Sequence, residues 1–470
     1  MNKISTEDAA GLLDAVAAKI CTFDSGAISE RGRQTALFAI ADTVAVALAG
    51  IPEDCTQIAL NTPGIADAAG PSLIFGTKKR TSALDASFIN GIASHALDYD
   101  DFSSVFGGHQ SVPLVTPLLA LAEDRGASGS DVFAAYLTGI ETEMRFARAV
   151  HPHHYDKGWH PTATLGIFGT VASCARLIGL DKDKTALALA MATSLASGLK
   201  ANFGTMSKPL HIGQSARNGL MAVLMAERGF TANTRALEHY QGFLAVYNGD
   251  DNTFDVTALL ENWDGGPWEN EADDLAIKQY PCCGSTHQCI TAATRMLADA
   301  EIKPGSLTPG DIEGIEIMPH QRRLNHTNNP SPMTELQAKF SVQYVVARTL
   351  LEGTVKLKDF ESDAWLQPEI RDLLSKTNAH AHPEFEGPDE DAWSAEIKVN
   401  LKDGRVLSHR VKNLIGRSGE NAMSKDELWI KFEDCAQRSL PADAVVPAFE
   451  ALLGLADADD VRSVVSKLEA

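Results

Sequence analysis

The first 265 or so residues repeat one pattern: apolar side chains at helical spacing, most of them small. Residues 28–49 set Leu37, Ile40, Ala41, Val44 and Leu48 along one helical face, and Gly50 stops the run. Residues 132–150 form a second such stretch, with Ser130 and Asp131 placed to cap it. Residues 164–177 are dense in Gly, Ala and Ser and lead to Gly179; residues 181–195 follow at once, and residues 211–228 end at Gly229. Helices with so many small side chains pack closely and bury several faces. The pattern predicts a compact all-helical bundle, and with no unit recurring at a fixed period it excludes a solenoid.

The character changes after about residue 270. Residues 311–318 alternate Ile312, Ile315 and Ile317 imperfectly with polar residues, and residues 395–401 alternate Ile397, Val399 and Leu401. Asp403-Gly404 then leads into residues 405–411, a hairpin signal. Helical stretches at 286–298 and 339–351 lie between, and residues 378–391, with Pro383, Pro388 and many acids, read as a loop. The tail, 424–432 and 444–455, is helical again. The expected fold is mainly α: a large all-helical domain over 1–270, completed by 413–470, with a smaller α+β domain, 271–412, inserted before the C-terminal helices.

The chain has 470 residues and a net charge of −21, which argues against DNA or RNA as its main partner. A small anion in a local basic pocket remains open, because the local field decides binding there. Seven cysteines with no CxxC point to a reducing compartment. The opening residues Met1 to Asp8 lack the apolar core of a signal peptide, and no apolar run approaches membrane-spanning length. A cytoplasmic protein without a membrane partner is expected.

The most informative segment is Gly204-Thr205-Met206-Ser207-Lys208-Pro209-Leu210-His211. Pro209 suits the first turn of the helix that follows. Lys208 then sits at a helix N-terminus, where free N–H groups and the dipole favour anions. With His211 three residues on, the segment reads as a site for a small negatively charged ligand. Alone, a lysine before a helix is an ordinary surface residue.

Other segments add chemistry. Ser94-His95-Ala96-Leu97-Asp98-Tyr99-Asp100-Asp101 puts three carboxylates in four positions; on a helix Asp98 and Asp101 would share a face, and crowding of this kind can raise one pKa and create a general base. His109 follows Gly107-Gly108, which permits close approach of a ligand to the backbone. His160 lies between Trp159 and Pro161 before a small-residue helix and is suited to acid or base work. Lys278-Gln279-Tyr280-Pro281-Cys282-Cys283-Gly284-Ser285-Thr286-His287 opens the second domain and ends in a histidine at a helix start. Lys278 and His211 join Lys208 as candidates for substrate binding. A metal at Cys282, Cys283, His287 and Cys289 fits no usual zinc spacing, a cluster of His151, His153 and His154 is equally weak, and no metal is expected. P-loop, dinucleotide, GxSxG and HExxH motifs are absent from the sequence.

Taken in order, these segments resemble the MmgE/PrpD family, which includes 2-methylcitrate dehydratase, cis-aconitate decarboxylase and iminodisuccinate epimerase. The resemblance runs from Asn90-Gly91 and the His95–Asp101 run through Gly158–Thr162, Gly204–His211, Lys278–His287 and Ala338–Ser341 to Met423-Ser424 and Lys431-Phe432. It implies a helical domain with a smaller α+β lid, a homodimer, and a site between the domains without metal or cofactor. Carried over residue by residue, the catalytic set is Asp98, His109, His160, Lys208 and His287. Two departures stand out. The family's His-Pro pair after the acidic motif is replaced here by His109-Gln110-Ser111-Val112-Pro113, and Phe102 stands where the decarboxylases carry a threonine.

The implied activity is proton abstraction next to a carboxylate of a small di- or tricarboxylic acid. A hydro-lyase resembling 2-methylcitrate dehydratase is the first expectation. Epimerisation of an amino- or imino-dicarboxylate and decarboxylation of a cis-aconitate-type acid are the alternatives. A silent carboxylate-binding protein or a structural scaffold would not call for these acid–base groups.

Overall fold

The computed structural model describes residues 11–249, 253–272, 274–385, 392–412, 416 and 422–470. The opening residues Met1 to Asp8, residues 386–391 of the expected loop and the expected domain edge at 413 lie outside the described residues. The chain divides into two compact units, Met1–Ile277 with Leu428–Ala470, and Lys278–Glu427.

The first unit is helical. Its main helices are α1 (Leu12–Thr22), α2 (Glu30–Gly50), α3 (Ala83–His95), α4 (Val112–Arg125), α5 (Gly129–Val150), α6 (Gly166–Leu177), α7 (Lys182–Leu195) and α8 (Ser207–Glu227). Helix α8 packs on α3, α5 on α6, α3 on both α2 and α4, and α7 on α8 and α1. Small residues make the α3–α8 crossing possible. A Cβ on Gly91 would sit 2.8 Å from the Gly213 Cα, and one on Gly213 would sit 2.5 Å from the Phe88 carbonyl oxygen. This close approach brings the last turn of α3, at His95, beside the first turn of α8, which carries Lys208. The buried face of α2 is nearly continuous from Phe38 to Gly50. No single helix among the described residues is long and apolar enough to cross a membrane, although α2 and the short helix after it, bent by 80°, pass together on length and composition.

Helix α5 begins earlier than its sequence suggests. Ser128, not Ser130 or Asp131, is the N-cap, and its hydroxyl accepts from the Asp131 N–H. Asp181 caps α7 in the same way, through Lys184 N–H.

The second unit is α+β. Helices α9 (His287–Asp299) and α10 (Val342–Glu352) accompany strands β1 (Ile312–Pro319), β2 (Thr377–Ala379), β3 (Ala395–Leu401) and β4 (Val406–Val411). The sheet order is β2-β1-β3-β4, with β1–β2 parallel and the other pairs antiparallel. Along β3, Ala395, Ile397, Val399 and Leu401 are buried and the residues between them half-buried, as period-two alternation requires. The start of the expected loop at 378 is instead strand β2, held by pairing of Ile315 to Ile317 with Thr377 to Ala379. The expected helix from Lys339 is broken at Phe340, because Ser341 caps a new helix through Tyr344 N–H.

The chain then returns to the first unit through α11 (Lys425–Ala436), from Leu428 onward, and α12 (Ala442–Leu453). Helix α12 packs on α2. Lys431 of α11 is buried, with its ammonium 2.5 Å from Asp42 Oδ1 of α2 and donating to the Tyr99 carbonyl at 2.8 Å. The C-terminal segment thereby fixes the turn that carries Asp98 and Asp100.

Candidate active site

Helix α3 ends at His95, so the acidic run leaves the helix before its first carboxylate. Asp98 takes a left-handed backbone, φ 52°, a conformation that costs energy in a non-glycine residue and collects at functional sites. The three carboxylates therefore diverge instead of lying on helical faces; the expected pairing of Asp98 with Asp101 on one face does not form.

Asp98 meets α8. Pro209 stands in the first turn, where a backbone N–H has no intrahelical acceptor, and Lys208 beside it reaches Asp98 Oδ1 at 2.7 Å. The Asp98 side chain is 40% exposed and that of Lys208 15%, so this pair faces open space. His109 Nε2 lies 3.3 Å from the same Asp98 oxygen, and His109 Nδ1 lies 3.0 Å from Asp100 Oδ2. Asp100 Oδ2 also accepts from His95 Nδ1 at 2.8 Å.

His160 caps the short helix Pro161–Thr164, and its N–H donates to the Gly198 carbonyl at 3.0 Å. Its Nδ1 lies 3.2 Å from His211 Nδ1, so one ring donates and the other accepts. The His95 and His160 rings are 5.7 Å apart between centroids, and Phe203 stands edge-on to His160 at 4.9 Å. The Lys208 ammonium lies 5.1 Å from the centre of the same Phe203 ring. The first unit thus brings together Asp98, His109, His160, Lys208 and His211. Of the candidates, Lys278 and His287 belong to the second unit.

In the second unit His287 is the first residue of α9 and almost fully buried. Its Nε2 lies 3.2 Å from the Cys282 carbonyl, and its ring stands edge-on to Tyr280 at 5.2 Å. Lys278 is also buried. Burial pushes the Cys282 thiol up to about 12, with Lys278 and Lys339 pulling the other way.

Electrostatics sort the groups. Burial, then Asp100 against it and Lys208 with it, brings His95 down to about 4. Burial, reinforced by His95 and Lys208, holds His160 well below its usual range, and burial with Lys208 lowers His211. Burial works to raise Asp100, but His109 and His95 more than offset it, and Asp100 stays well below the usual carboxylate range. Asp101 behaves oppositely: burial pushes it up to about 8 despite Ser111. It accepts from Gln110 Nε2 at 2.8 Å and from Ser111, whose hydroxyl also meets Tyr136. Asp101 therefore clamps the two residues that follow His109.

His95, Asp100 and Asp101 belong to the acidic run read from the sequence but were not among the expected site residues. The three acids in four residues were the available signal, but only the turn at Asp98 assigns them separate tasks. Among the described residues, His95, Asp98, Asp100 and His109 also bring four possible metal-ligand atoms within 4.8 Å of one another.

An ammonium at a helix N-terminus, a partly exposed carboxylate and several imidazoles stand together, an arrangement that can move a proton beside a fixed positive charge. The MmgE/PrpD N-terminal domain profile matches residues 14–255, and the MmgE/PrpD C-terminal domain profile matches residues 280–453. The chain belongs to the MmgE/PrpD family. It is 31% identical over 388 residues to cis-aconitate decarboxylase of Mus musculus, covering 82% of this chain and 78% of that protein. It is 28% identical over 450 residues to cis-aconitate decarboxylase of Homo sapiens, covering 94% of this chain and 92% of that protein. It is 24% identical over 452 residues to cis-aconitate decarboxylase of Aspergillus terreus, covering 93% and 91%.

Proposed function

We propose that this chain is a lyase acting on a small di- or tricarboxylic acid by moving a proton at the carbon next to a carboxylate. The observation that carries the reading is the meeting of Lys208, Asp98, His109 and His160 in the first unit. A proton beside a carboxylate leaves only if the charge that flows onto the carboxylate oxygens is stabilised. The Lys208 ammonium, backed by the N-terminus of α8, meets that charge. His160, neutral through burial, is the base; Asp98, on the open side of the pair, orients Lys208 and His109. His287 of the second unit is the second proton-transfer group that the family resemblance implies.

In the hydro-lyase form the base takes the carbon-bound proton, the carbon–carbon double bond forms, and the departing hydroxyl takes a proton to leave as water. In the second form a carbon–carboxylate bond breaks, carbon dioxide leaves, and the electron pair left on carbon takes a proton. The names of the three relatives favour decarboxylation. Phe102 favours the hydro-lyase form: it places a phenyl where the resemblance expects a threonine hydroxyl in decarboxylases.

The test is a panel of di- and tricarboxylic acids, including 2-methylcitrate and cis-aconitate, followed by NMR in deuterated water. Formation of an unsaturated acid and water, or loss of carbon dioxide, separates the two forms, and deuterium exchange without net reaction reports epimerisation. Ligand-induced stabilisation with no exchange and no product across the panel would leave only a binding protein.

A further inference from the structure

His160 is closed off from solvent, at 1% exposure, and its Nδ1 meets the Nδ1 of His211 at 3.2 Å, whereas His211 is only half-buried. Different parts of the first unit hold the two rings. The His160 backbone is tied on both sides: its N–H donates to the Gly198 carbonyl at 3.0 Å, and its carbonyl accepts from Thr164 Oγ1 at 3.0 Å, a hydroxyl that also meets His154 Nε2 at 2.8 Å. His211 rides on α8, and Ser215, one turn further along, donates its hydroxyl to the Ala163 carbonyl at 3.0 Å, docking α8 on the short helix that His160 caps. Gly198 serves both rings. Its carbonyl holds His160, and its backbone, at φ 137°, leaves room for His211: a Cβ there would lie 3.3 Å from His211 Cγ and Nδ1.

We propose that His160 and His211 form a two-ring proton relay: His160 exchanges a proton with substrate at Nε2 and with His211 at Nδ1, and His211 exchanges it with water. Two neutral imidazoles that meet nitrogen to nitrogen hold one hydrogen between them, one ring donating and the other accepting. A base needs its reacting nitrogen bare. With Nε2 bare, neutral His160 carries its hydrogen on Nδ1, and neutral His211 carries its own on Nε2. When His160 takes a proton at Nε2, its Nδ1 hydrogen passes to His211 Nδ1, and His211 gives its Nε2 hydrogen to water. In reverse, once His160 has given its Nε2 hydrogen away, His211 returns the Nδ1 hydrogen and takes one from water at Nε2. Each pass moves one proton between substrate and water and changes no oxidation state. Burial disfavours positive charge on both rings and Lys208 adds to it, so a proton taken up at His160 is driven onward.

The kinetic part rests on the lyase reading, in which His160 is the base. His211→Asn offers an amide oxygen as acceptor for the His160 Nδ1–H but cannot take up a proton, so it separates carrying a proton from orienting the ring. The expected result is a native melting curve, a fall in kcat of roughly 100-fold and KM within about threefold. Imidazole added to the buffer should restore kcat of the variant by about tenfold or more, because a dissolved base then carries the proton, and should leave the native rate unchanged. Near-native kcat in His211→Asn would overturn the relay. So would a raised KM at native kcat, which makes His211 a substrate ligand, or a loss that imidazole does not relieve, which makes the contact structural. In the native protein with 15N-labelled histidine and no substrate, His160 should show Nδ1–H, His211 Nε2–H, and a nitrogen–nitrogen coupling should join the two Nδ1 atoms. A His160 ring protonated only at Nε2 would overturn the relay. If no acid is turned over, the lyase reading fails while the ring signals still decide the pair; if His211→Asn does not fold, those signals decide it alone.

Discussion

Replacing Lys208 by Met separates the catalytic role of the ammonium from its place in the fold. The Met side chain keeps an apolar stem of similar length and removes the ammonium, and with it the pairing to Asp98 and the place 5.1 Å from the Phe203 ring centre. The stability cost follows from exposure. Asp98 is 40% exposed and regains water when its partner is lost, so the pair is worth no more than about 1 kcal/mol after solvent screening. The cost to turnover is of another order. An ammonium aimed at developing charge acts in the transition state alone, and loss of one such donor lowers kcat by about 100- to 1,000-fold, or about 2.7–4 kcal/mol. The expected outcome is therefore a protein with a native circular dichroism spectrum, a melting temperature within roughly 3 °C of the native value, and almost no product by NMR. Near-native kcat in Lys208→Met would remove the lysine from the mechanism. A collapsed melting temperature would show that the pair is structural and that its exposure was a poor guide.

The buried pair behaves differently: Lys431→Met should cost about 3–5 kcal/mol in urea denaturation, because it takes the paired ammonium away from Asp42 at 0% exposure, and adding Asp42→Leu should restore much of the loss. His95 and His154 should each lower stability below neutral pH: both have about 4 in the fold against 6.5 as the ordinary value, so between those pH values the unfolded chain binds protons that the fold refuses, at a cost of about 2 kcal/mol per ring at pH 5. Asp101, about 8 in the fold against 3.8, acts oppositely over the same range, so the check is a difference: from pH 7 to 5 the denaturation midpoint of His154→Gln should shift less toward instability than that of the native protein, and equal shifts would contradict this. Chelators should leave the rate unchanged. Loss of activity with EDTA, regained with a divalent ion, would instead place a metal among His95, Asp98, Asp100 and His109.

The bundle was legible because small-residue helices announce themselves by period. The strands at 312 and 395 were legible because one face of each is buried. What failed was local and cooperative. Ser128, Ser130 and Asp131 are all polar residues ahead of an apolar helix, and only the Asp131 N–H shows which one caps it. The three residues of β2 have no alternation to read; their strand exists because β1 offers a free edge. For the site, spacing singled out Lys208 and His160 but said nothing of His95. Its place depends on a carboxylate five residues away that turns back toward it, and that turn is set by Asp98 in a left-handed conformation.

The acidic run shows why a cluster of like charges is a poor functional unit. Asp98, Asp100 and Asp101 are nearly adjacent in sequence, yet each meets a different environment. Asp98 faces an ammonium and solvent, Asp100 two imidazoles, and Asp101 a serine, a glutamine and the charge of Asp42. The surroundings push Asp100 well below the usual carboxylate range and Asp101 up to about 8. Three mutual repulsions are thereby avoided by handing each group its own partner or its own proton. The segment that enforces this is remote: Lys431, 332 positions along the chain, donates to the carbonyl of Tyr99, the residue between Asp98 and Asp100. The return of the chain to its first unit is thus a condition for the geometry of the acid–base groups, and not only for the bundle that carries them.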